Sequence, residues 1–320
     1  MIKALALALT LATVSLAQAH ADTIKVGVQP WLGYGPLWVA EEKGFFKKHD
    51  LDVVLTTFNW DQDMTAALAS ENLNVIAAGS NSVITNVNQG VDQKGFLVMD
   101  LSFEADAILA GDGINSVKDL KGKTVAFEAG ATSDLLLNYA LKQNGMKLSD
   151  VEHVPMGASE AGLALIAGRV DSAVTYEPYI STSLKQGGGF KVIYTAAEKR
   201  GLISDMLTAS STWIAANPKD VQGLIRAWDD AVKFVRENPQ EGKAIIAKAV
   251  GSSLEELEPA FAGVRMYDIQ ENQQFLKGEF QESMKAAGEI MHETNPDNIK
   301  RVPTADELLA LEPLKAVAAQ

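Results

Sequence analysis

The chain has 320 residues, of which 47% are hydrophobic and 22% charged, and its formal net charge is −13. This length allows about two domains with a sizeable core, and the composition argues against intrinsic disorder. The acidic balance disfavours general attraction to nucleic acid or to anionic membrane surfaces. Because the sequence contains no cysteine, we expect no disulfide framework, no thiolate metal site and no lipid anchor on an N-terminal cysteine.

The first segment, MIKALALALTLATVSLAQAHA, is typical of a secretory signal. Lys3 precedes an apolar run, and small residues surround a cleavage motif at Ala19-His20-Ala21. The run is too short to span a membrane. We therefore predict a cleavable signal peptide over residues 1–21, with the mature chain exported to a Gram-negative periplasm.

Strand and helix patterns alternate in the next part of the chain. We predict strands over 23–29, 51–58, 73–79 and 96–103, and helices over 35–50, 61–72 and 82–90. The 35–50 helix should end near Gly44. This β-α-β repetition predicts a mainly parallel sheet with helices on both faces.

The pattern then restarts and predicts a second lobe. A short helix, a strand and a long helix are predicted within 116–145, followed by a strand at 151–156, a helix at 159–170, and strands at 171–178 and 190–197. Long helices are predicted over 217–237, 239–250 and 270–292, and we expect them to pack on the first lobe. The expected organisation is lobe 1 over 22–108, lobe 2 over 109–204, and a return to lobe 1 over 205–320.

Open α/β sheets bind ligands beyond the carboxyl ends of their strands, so two such sheets that face one another enclose a cleft. The loops expected there are 29–35, 59–63, 79–82, 103–106, 128–134 and 176–179, and none of them contains Lys or Arg. They carry acids, aromatic rings and hydroxyls instead. Each such residue taken singly is also compatible with a solvated loop, a helix cap or the core.

Catalysis is disfavoured by the residues available. The chain has few histidines, and none lies beside a nucleophile turn; G-x-S-x-G, H-E-x-x-H and G-x-x-x-x-G-K-[ST] motifs do not occur. We therefore predict neither an enzyme nor a cofactor or metal site. A secreted hydrolase that uses a carboxylate pair remains the alternative from another class.

Three segments carry a resemblance to a known family. They are VGVQPWLGYGPLWVAEEKGFFKKHDLDVVL, SVKDLKGKTVAFEAGATSDLLLNYAL and GRVDSAVTYEPYIS. They resemble the nitrate/sulfonate/taurine class of ABC-transporter solute-binding proteins, and within it the subgroup encoded near urea carboxylase or guanidine carboxylase. The resemblance implies an α/β, two-lobed periplasmic binding protein fold of type II with the ligand in the inter-lobe cleft. It further implies hinge strands near 107–112 and 200–208, a monomer, and an inner-membrane ABC permease as partner.

The cleft loops differ from what an anion needs. A sulfonate or nitrate favours basic side chains and helix N-termini, whereas these loops supply carboxylates. A small nitrogen-rich cation would neutralise them, and guanidinium is the first candidate, followed by urea and then by taurine or nitrate. The predicted ligand-binding residues are Trp31, Tyr34, Trp60, Asp61, Ser80, Glu104, Asp106, Glu128, Thr132, Ser133, Tyr176 and Glu177.

Overall fold

The computed structural model describes residues 23–276 and 278–319. The predicted signal peptide at 1–21 lies outside the described residues. Within these two ranges, no helix combines the length and the apolar character needed to cross a membrane.

The strands, in chain order, are β1 (Ile24–Val28), β2 (Val53–Thr57), β3 (Val75–Gly79), β4 (Lys94–Ser102), β5 (Asp106–Ala110), β6 (Thr124–Phe127), β7 (Glu152–Pro155), β8 (Ser172–Tyr176), β9 (Lys191–Thr195), β10 (Ser204–Ala209) and β11 (Val264–Met266). They form a six-stranded sheet in the order β11-β4-β10-β3-β1-β2 and a five-stranded sheet in the order β7-β6-β8-β5-β9. The predicted α/β fold with two sheets is therefore confirmed.

Both sheets are mixed, so the expectation of a mainly parallel arrangement is wrong. Strands β1, β2 and β3 are parallel, and so are β6, β7 and β8. Strand β10 pairs antiparallel with β3 and β4, and β5 pairs antiparallel with β8 and β9. An antiparallel strand begins at the edge where its parallel neighbours end, so β5 and β10 bring their first residues to the ligand-binding edge.

The chain passes between the two sheets twice. It leaves the first sheet after Ser102 and enters the second at Asp106, and it returns between Thr195 and Ser204. The change of sheet thus comes before each boundary predicted from the sequence, because β5 already belongs to the second sheet and β10 to the first.

The helices, in chain order, are α1 (Gly35–Glu42), α2 (Phe45–Lys48), α3 (Asp61–Ala69), α4 (Ser80–Asn88), α5 (Thr132–Gln143), α6 (Ala158–Ile166), α7 (Tyr179–Lys185), α8 (Ser211–Ala216), α9 (Pro218–Glu237), α10 (Pro239–Ala249), α11 (Leu254–Leu257), α12 (Ile269–Phe275), α13 (Glu279–Thr294), α14 (Ala305–Leu308) and α15 (Glu312–Ala318). Gly44 divides the first predicted helix with a φ of 73°, a conformation that glycine adopts without strain. The helix predicted over 270–292 is likewise two helices, α12 and α13.

The long helices after residue 210 cover the first sheet. Helix α9 packs on α1, α10 and α15, and Trp228 at its centre is fully buried. The indole Nε1 of Trp228 donates to the carbonyl of Tyr267 at 2.8 Å, so its polar atom is satisfied inside the core. Helix α13 differs from these because it packs on both α4 and α5, which belong to different lobes.

Candidate functional site

A small cavity lies between the two sheets. Its volume is about 30 Å³, which is room for about two water molecules. The residues that line it are Gln29, Trp31, Tyr34, Asp61, Asp106, Glu128, Ala131, Thr132, Ser133, Ala158, Thr175, Tyr176 and Asp205.

The two sheets place these side chains by the same geometric rule. Trp31 and Tyr34 follow β1, Asp61 begins α3 after β2, and Glu128 follows β6. These positions lie beyond the carboxyl ends of parallel strands, where open α/β sheets bind ligands. Asp106 and Asp205 reach the same edge from the first residues of the antiparallel strands: Asp106 is paired with Tyr176 and Asp205 with Gly79.

The lobes touch one another around the cavity. The backbone N–H of Gln62 donates to Oε1 of Glu128 at 3.2 Å, and the hydroxyl of Thr132 donates to Oδ1 of Asn81 at 3.1 Å. The rings of Trp31 and Tyr176 meet edge to face with their centroids 5.7 Å apart. The structure is therefore in a closed arrangement, with protein groups from both lobes surrounding the cavity.

Four carboxyl groups line this cavity, and no Lys or Arg is among its described lining residues. Burial raises the pKa of Asp106 to about 7. Burial, with the nearby Asp61 carboxyl as a further cause, raises the pKa of Glu128 to about 8. The pKa of Asp205 is raised well above its ordinary value, by burial first and then by neighbouring carboxyl groups. The site therefore strongly disfavours several simultaneous negative charges.

A neutral hydrogen-bond donor offsets part of the cost of burying the Asp61 carboxylate. Its Oδ2 accepts a hydrogen bond from the Ser82 hydroxyl at 2.7 Å. Burial raises the pKa of Asp61, and this hydrogen bond acts in the opposite direction. A hydroxyl donor cannot neutralise the carboxylate, so Asp61 remains available to pair with a cation.

A fifth acid, Asp100, lies directly behind the cavity. It is fully buried and sits opposite Asp205 on the adjacent strand. The indole Nε1 of Trp31 donates to both of its carboxylate oxygens at 3.3 Å. Like charges directly opposite one another in a sheet are destabilising, and burial raises the pKa of Asp100 well above its usual value. The pairing of Asp100 with Asp205 therefore disfavours simultaneous ionisation of the two carboxyl groups.

The structure brings together most of the residues proposed from the sequence. Those that line the cavity are Trp31, Tyr34, Asp61, Asp106, Glu128, Thr132, Ser133 and Tyr176. Their role in ligand binding remains a proposal.

Four proposed residues do not line the cavity. Glu104 is exposed to solvent. Glu177 is buried, but its carboxylate accepts hydrogen bonds from the backbone N–H and the hydroxyl of Ser181 at 3.0 and 2.9 Å, at the start of α7. Ser80 accepts a hydrogen bond from the Ser204 hydroxyl at 2.9 Å. Trp60 is half-buried at the residue before α3.

Other cavity residues escaped the sequence analysis. Gln29, Ala158, Thr175 and Asp205 were not proposed, although all of them line the cavity. Thr175 and Asp205 lie inside strands rather than in the loops that follow them. The one available signal was an acid in the otherwise uncharged strand SDMLTA of β10, because a carboxylate in a buried strand requires a partner or a proton.

The two facing sheets and the closed cleft define the fold of periplasmic binding proteins. The crystal structure of the periplasmic aliphatic sulphonate binding protein from Escherichia coli matches with a TM-score of 0.72 and 20% identity, covering 93% of this chain and 99% of that one. The periplasmic nitrate-binding protein from Synechocystis PCC 6803 matches with a TM-score of 0.73 and 16% identity, over 93% and 89% of the two chains. The chain belongs to the NMT1/THI5-like family, whose pattern matches residues 32–242.

Sequence relatives carry two kinds of name. A protein named as a binding protein in Brucella abortus (strain 2308) is 28% identical over 248 residues, which are 77% of this chain and 76% of that protein. A more distant relative in Aspergillus parasiticus is 23% identical over 235 residues, 64% of each chain, and is named 4-amino-5-hydroxymethyl-2-methylpyrimidine phosphate synthase. The structural neighbours above are binding proteins rather than enzymes.

Proposed function

We propose that the protein is the periplasmic solute-binding component of an ABC importer, and that it captures a small organic cation, guanidinium first, for delivery to an inner-membrane permease. The transport role is supported by the family and by the fold shared with periplasmic binding proteins. One observation carries the choice of ligand. Four carboxyl groups line a cavity between the two lobes whose described lining contains no Lys or Arg.

A cation explains this arrangement energetically. An ionised carboxylate buried without a partner costs several kcal/mol or takes up a proton. A cation in the cavity would pair with Asp61, Asp106, Glu128 and Asp205 and remove that cost. A sulfonate or a nitrate would instead face carboxylates, so the ligands in the names of the structural neighbours do not suit this cavity.

The spacing of the acids favours an organic cation over a metal ion. Among the described residues, no three acidic or imidazole side chains lie close enough together to hold one metal ion. Guanidinium is planar and directs N–H donors outward in several directions, so it can reach carboxylates that lie on opposite walls. The rings of Trp31 and Tyr176, which also line the cavity, supply aromatic faces or edges to such an ion.

Urea is the second candidate, and the raised pKa values favour it. With pKa values of about 7 and about 8, Asp106 and Glu128 are partly protonated at neutral pH. A protonated carboxyl can both donate and accept a hydrogen bond, which matches a neutral planar amide. The distinction between guanidinium and urea therefore depends on the ionisation of these two acids.

The carboxylate-pair hydrolase lacks comparable support. The cavity holds acids but no histidine or lysine among its described lining residues. Cleavage of a substrate by the purified protein, lost on removal of one acid, is the result that would favour this alternative.

Isothermal titration calorimetry with guanidinium, urea, taurine and nitrate tests the proposal. Charge-assisted hydrogen bonds contribute about 1.5–3 kcal/mol each, against about 0.5–1.5 kcal/mol for neutral ones. With several such bonds, guanidinium should bind with a Kd that is lower than that of urea by roughly a hundredfold or more, even though their contributions are not additive. Tight binding of taurine or nitrate, or urea binding as tight as guanidinium, would overturn the cation assignment but not the transport role.

A further inference from the structure

A second and larger cavity adjoins the first. Its volume is about 500 Å³, within the range of about 300–1,000 Å³ typical of small-molecule sites. It lies between α3 and α4 of one lobe and the beginning of α5 of the other, with the end of α13 and the segment after it as a further wall. We call it the side cavity. Asp61 and Ala131 line both cavities, so only a thin partition separates them.

The lining of the side cavity is mixed, with more apolar than polar surface, and its described residues bring polar groups without positive charge. It contains the side-chain amides of Gln62, Asn86, Gln89, Asn138, Asn295 and Asn298 and the carboxyl groups of Asp61 and Asp134, and no Lys or Arg is among its described lining residues. Asn86, Asp134 and Asn138 are each at least 94% buried. Asp134 accepts hydrogen bonds from Nδ2 of Asn138 and from the N–H of Gly130, and Nδ2 of Asn86 donates to Gln93. A carboxylate has about four acceptor positions, so Asp134 keeps capacity for a ligand donor beside these two bonds.

Residues 129–131 form the partition between the cavities, and the N–H of Gly130 fixes it to the second lobe by donating to Oδ2 of Asp134 at 2.8 Å. The carbonyl oxygen of Gly130 accepts hydrogen bonds from Nδ2 of Asn81 and from the hydroxyl of Thr85, both at 3.4 Å. That distance is beyond the usual range for good hydrogen bonds. The side chain of Ala131 is only a methyl group, while its backbone carbonyl accepts hydrogen bonds from the N–H groups of Asp134 and Leu135 at the start of α5. The contacts of this segment with the first lobe are thus the weaker ones, and a shift of residues 129–131 away from α4 would join the two cavities beside Asp61.

We propose that the two cavities form one binding site for monosubstituted guanidinium ions. The guanidinium head lies in the small cavity among the four acids, and a short polar or cationic tail passes Asp61 into the side cavity. There the side-chain amides of Asn295 and Asn298 can bond a hydroxyl or amine on the tail, and the carboxylate of Asp134 can pair with a positive charge. This proposal rests on the proposed function, because it requires the head group to bind first.

Calorimetry with guanidinium and with agmatine, a guanidinium that carries an aminobutyl tail, tests this site. In the wild-type protein, agmatine should bind within about tenfold of guanidinium, because the tail gains contacts without disturbing the head. Ala66 and Ala69 line the side cavity, are exposed, and do not line the small one. Ala66→Trp and Ala69→Trp should each lower the affinity for agmatine by about tenfold or more, because the indole occupies the space of the tail. The affinity for guanidinium should stay within about twofold of the wild-type value.

A matched variant controls for the added indole. Ala215 is an exposed alanine in α8 that lines neither cavity, so Ala215→Trp should leave both affinities unchanged. Thermal melting confirms that each variant is folded, and either of the two alanine positions in α3 suffices for the test.

The outcomes separate this inference from the function on which it rests. If the wild-type protein binds guanidinium but not agmatine, or if both α3 variants leave the affinity ratio unchanged, the extended site is overturned and the cation-binding role stands. If the wild-type protein binds neither ligand, the proposed function fails, and this inference fails with it.

Discussion

Guanidinium affinity should fall when the pH is lowered from about 8 to about 6, because the acids of the cavity must be ionised to pair with a cation. Burial raises the pKa of Glu128 to about 8 and that of Asp106 to about 7. Both acids therefore take up protons within this pH window. A protonated carboxyl loses its Coulombic attraction for the ligand, and ligand binding must then expel the proton.

The size of the effect follows from the pKa values. For a group with the pKa of Glu128, about 8, the factor 1 + 10^(pKa−pH) rises from about 2 at pH 8 to about 100 at pH 6. The Kd should therefore increase by about 50-fold, or about 2.3 kcal/mol, from this acid alone. The same arithmetic applied to Asp106, with its pKa of about 7, adds about tenfold.

Calorimetry across this pH range measures both the affinity and the protons released. Titrations in two buffers of different ionisation enthalpy should show release of about 1.4 protons per guanidinium near pH 7, about 0.9 from Glu128 and about 0.5 from Asp106. The Gln side chain in Glu128→Gln cannot take up a proton, so the change of Kd between pH 8 and pH 6 should be about 50-fold smaller than in the wild-type protein. Glu104→Gln is the matched control, because Glu104 is exposed and lies outside the cavity, and it should keep the wild-type profile.

A Kd that changes by less than about twofold between pH 8 and pH 6 would refute this reasoning. So would a Glu128→Gln protein that retains the wild-type pH profile. Either result would mean that Glu128 does not exchange its proton for the ligand.

Three further predictions follow from the same cavity. Asp205→Asn should weaken guanidinium binding by about 2–5 kcal/mol in calorimetry, the usual cost of breaking a buried charge pair, and unaltered affinity would remove Asp205 from the ligand site. Thermal melts of the ligand-free protein should show a Tm that falls as the pH rises from about 5 to about 8, and a rising Tm would contradict this. The folded-state pKa values of Asp106 and Glu128 are raised, so the stabilising contribution of these two acids is present at low pH and is lost as the pH passes through their pKa values. Small-angle scattering should show a smaller radius of gyration at saturating guanidinium, and an unchanged profile would count against hinge closure.

The sequence predicts the position of the cleft well because the rule behind it is local. A loop that follows a parallel strand lies at the ligand-binding edge, and each strand carries its own apolar pattern. Trp31, Asp61 and Glu128 were found in this way, and all three line the cavity. The same rule misses Asp205, because its place at that edge depends on the antiparallel insertion of β10 between β3 and β4, a long-range pairing that local patterns do not report.

Prediction of ligand-binding residues from the sequence also fails where a neighbouring residue in the chain takes the hydrogen bonds expected for the ligand. Glu177 was proposed as a ligand carboxylate because it lies between aromatic residues at a strand end. In the structure its carboxylate bonds Ser181, four residues later in the first turn of α7. Such a bond is typical of acidic residues at a helix start. Glu104 follows a buried strand as expected, but it is exposed, because loop direction is not encoded in the residue types alone.

Helix α13 has a consequence for how long a ligand stays bound. It packs on α4 and α5, and Glu293 near its end forms an ion pair with Lys142 of α5, so it links the lobes in addition to the two chain crossings. A link that favours the closed arrangement increases the fraction of empty protein that is already closed. Raising that fraction from about 1% to about 10% tightens apparent binding about tenfold without any new ligand contact. If opening separates α13 from α5, the same link also slows spontaneous opening. Docking on a permease would then have to supply the energy that separates the lobes, and ligand release would follow docking rather than dissociation in solution.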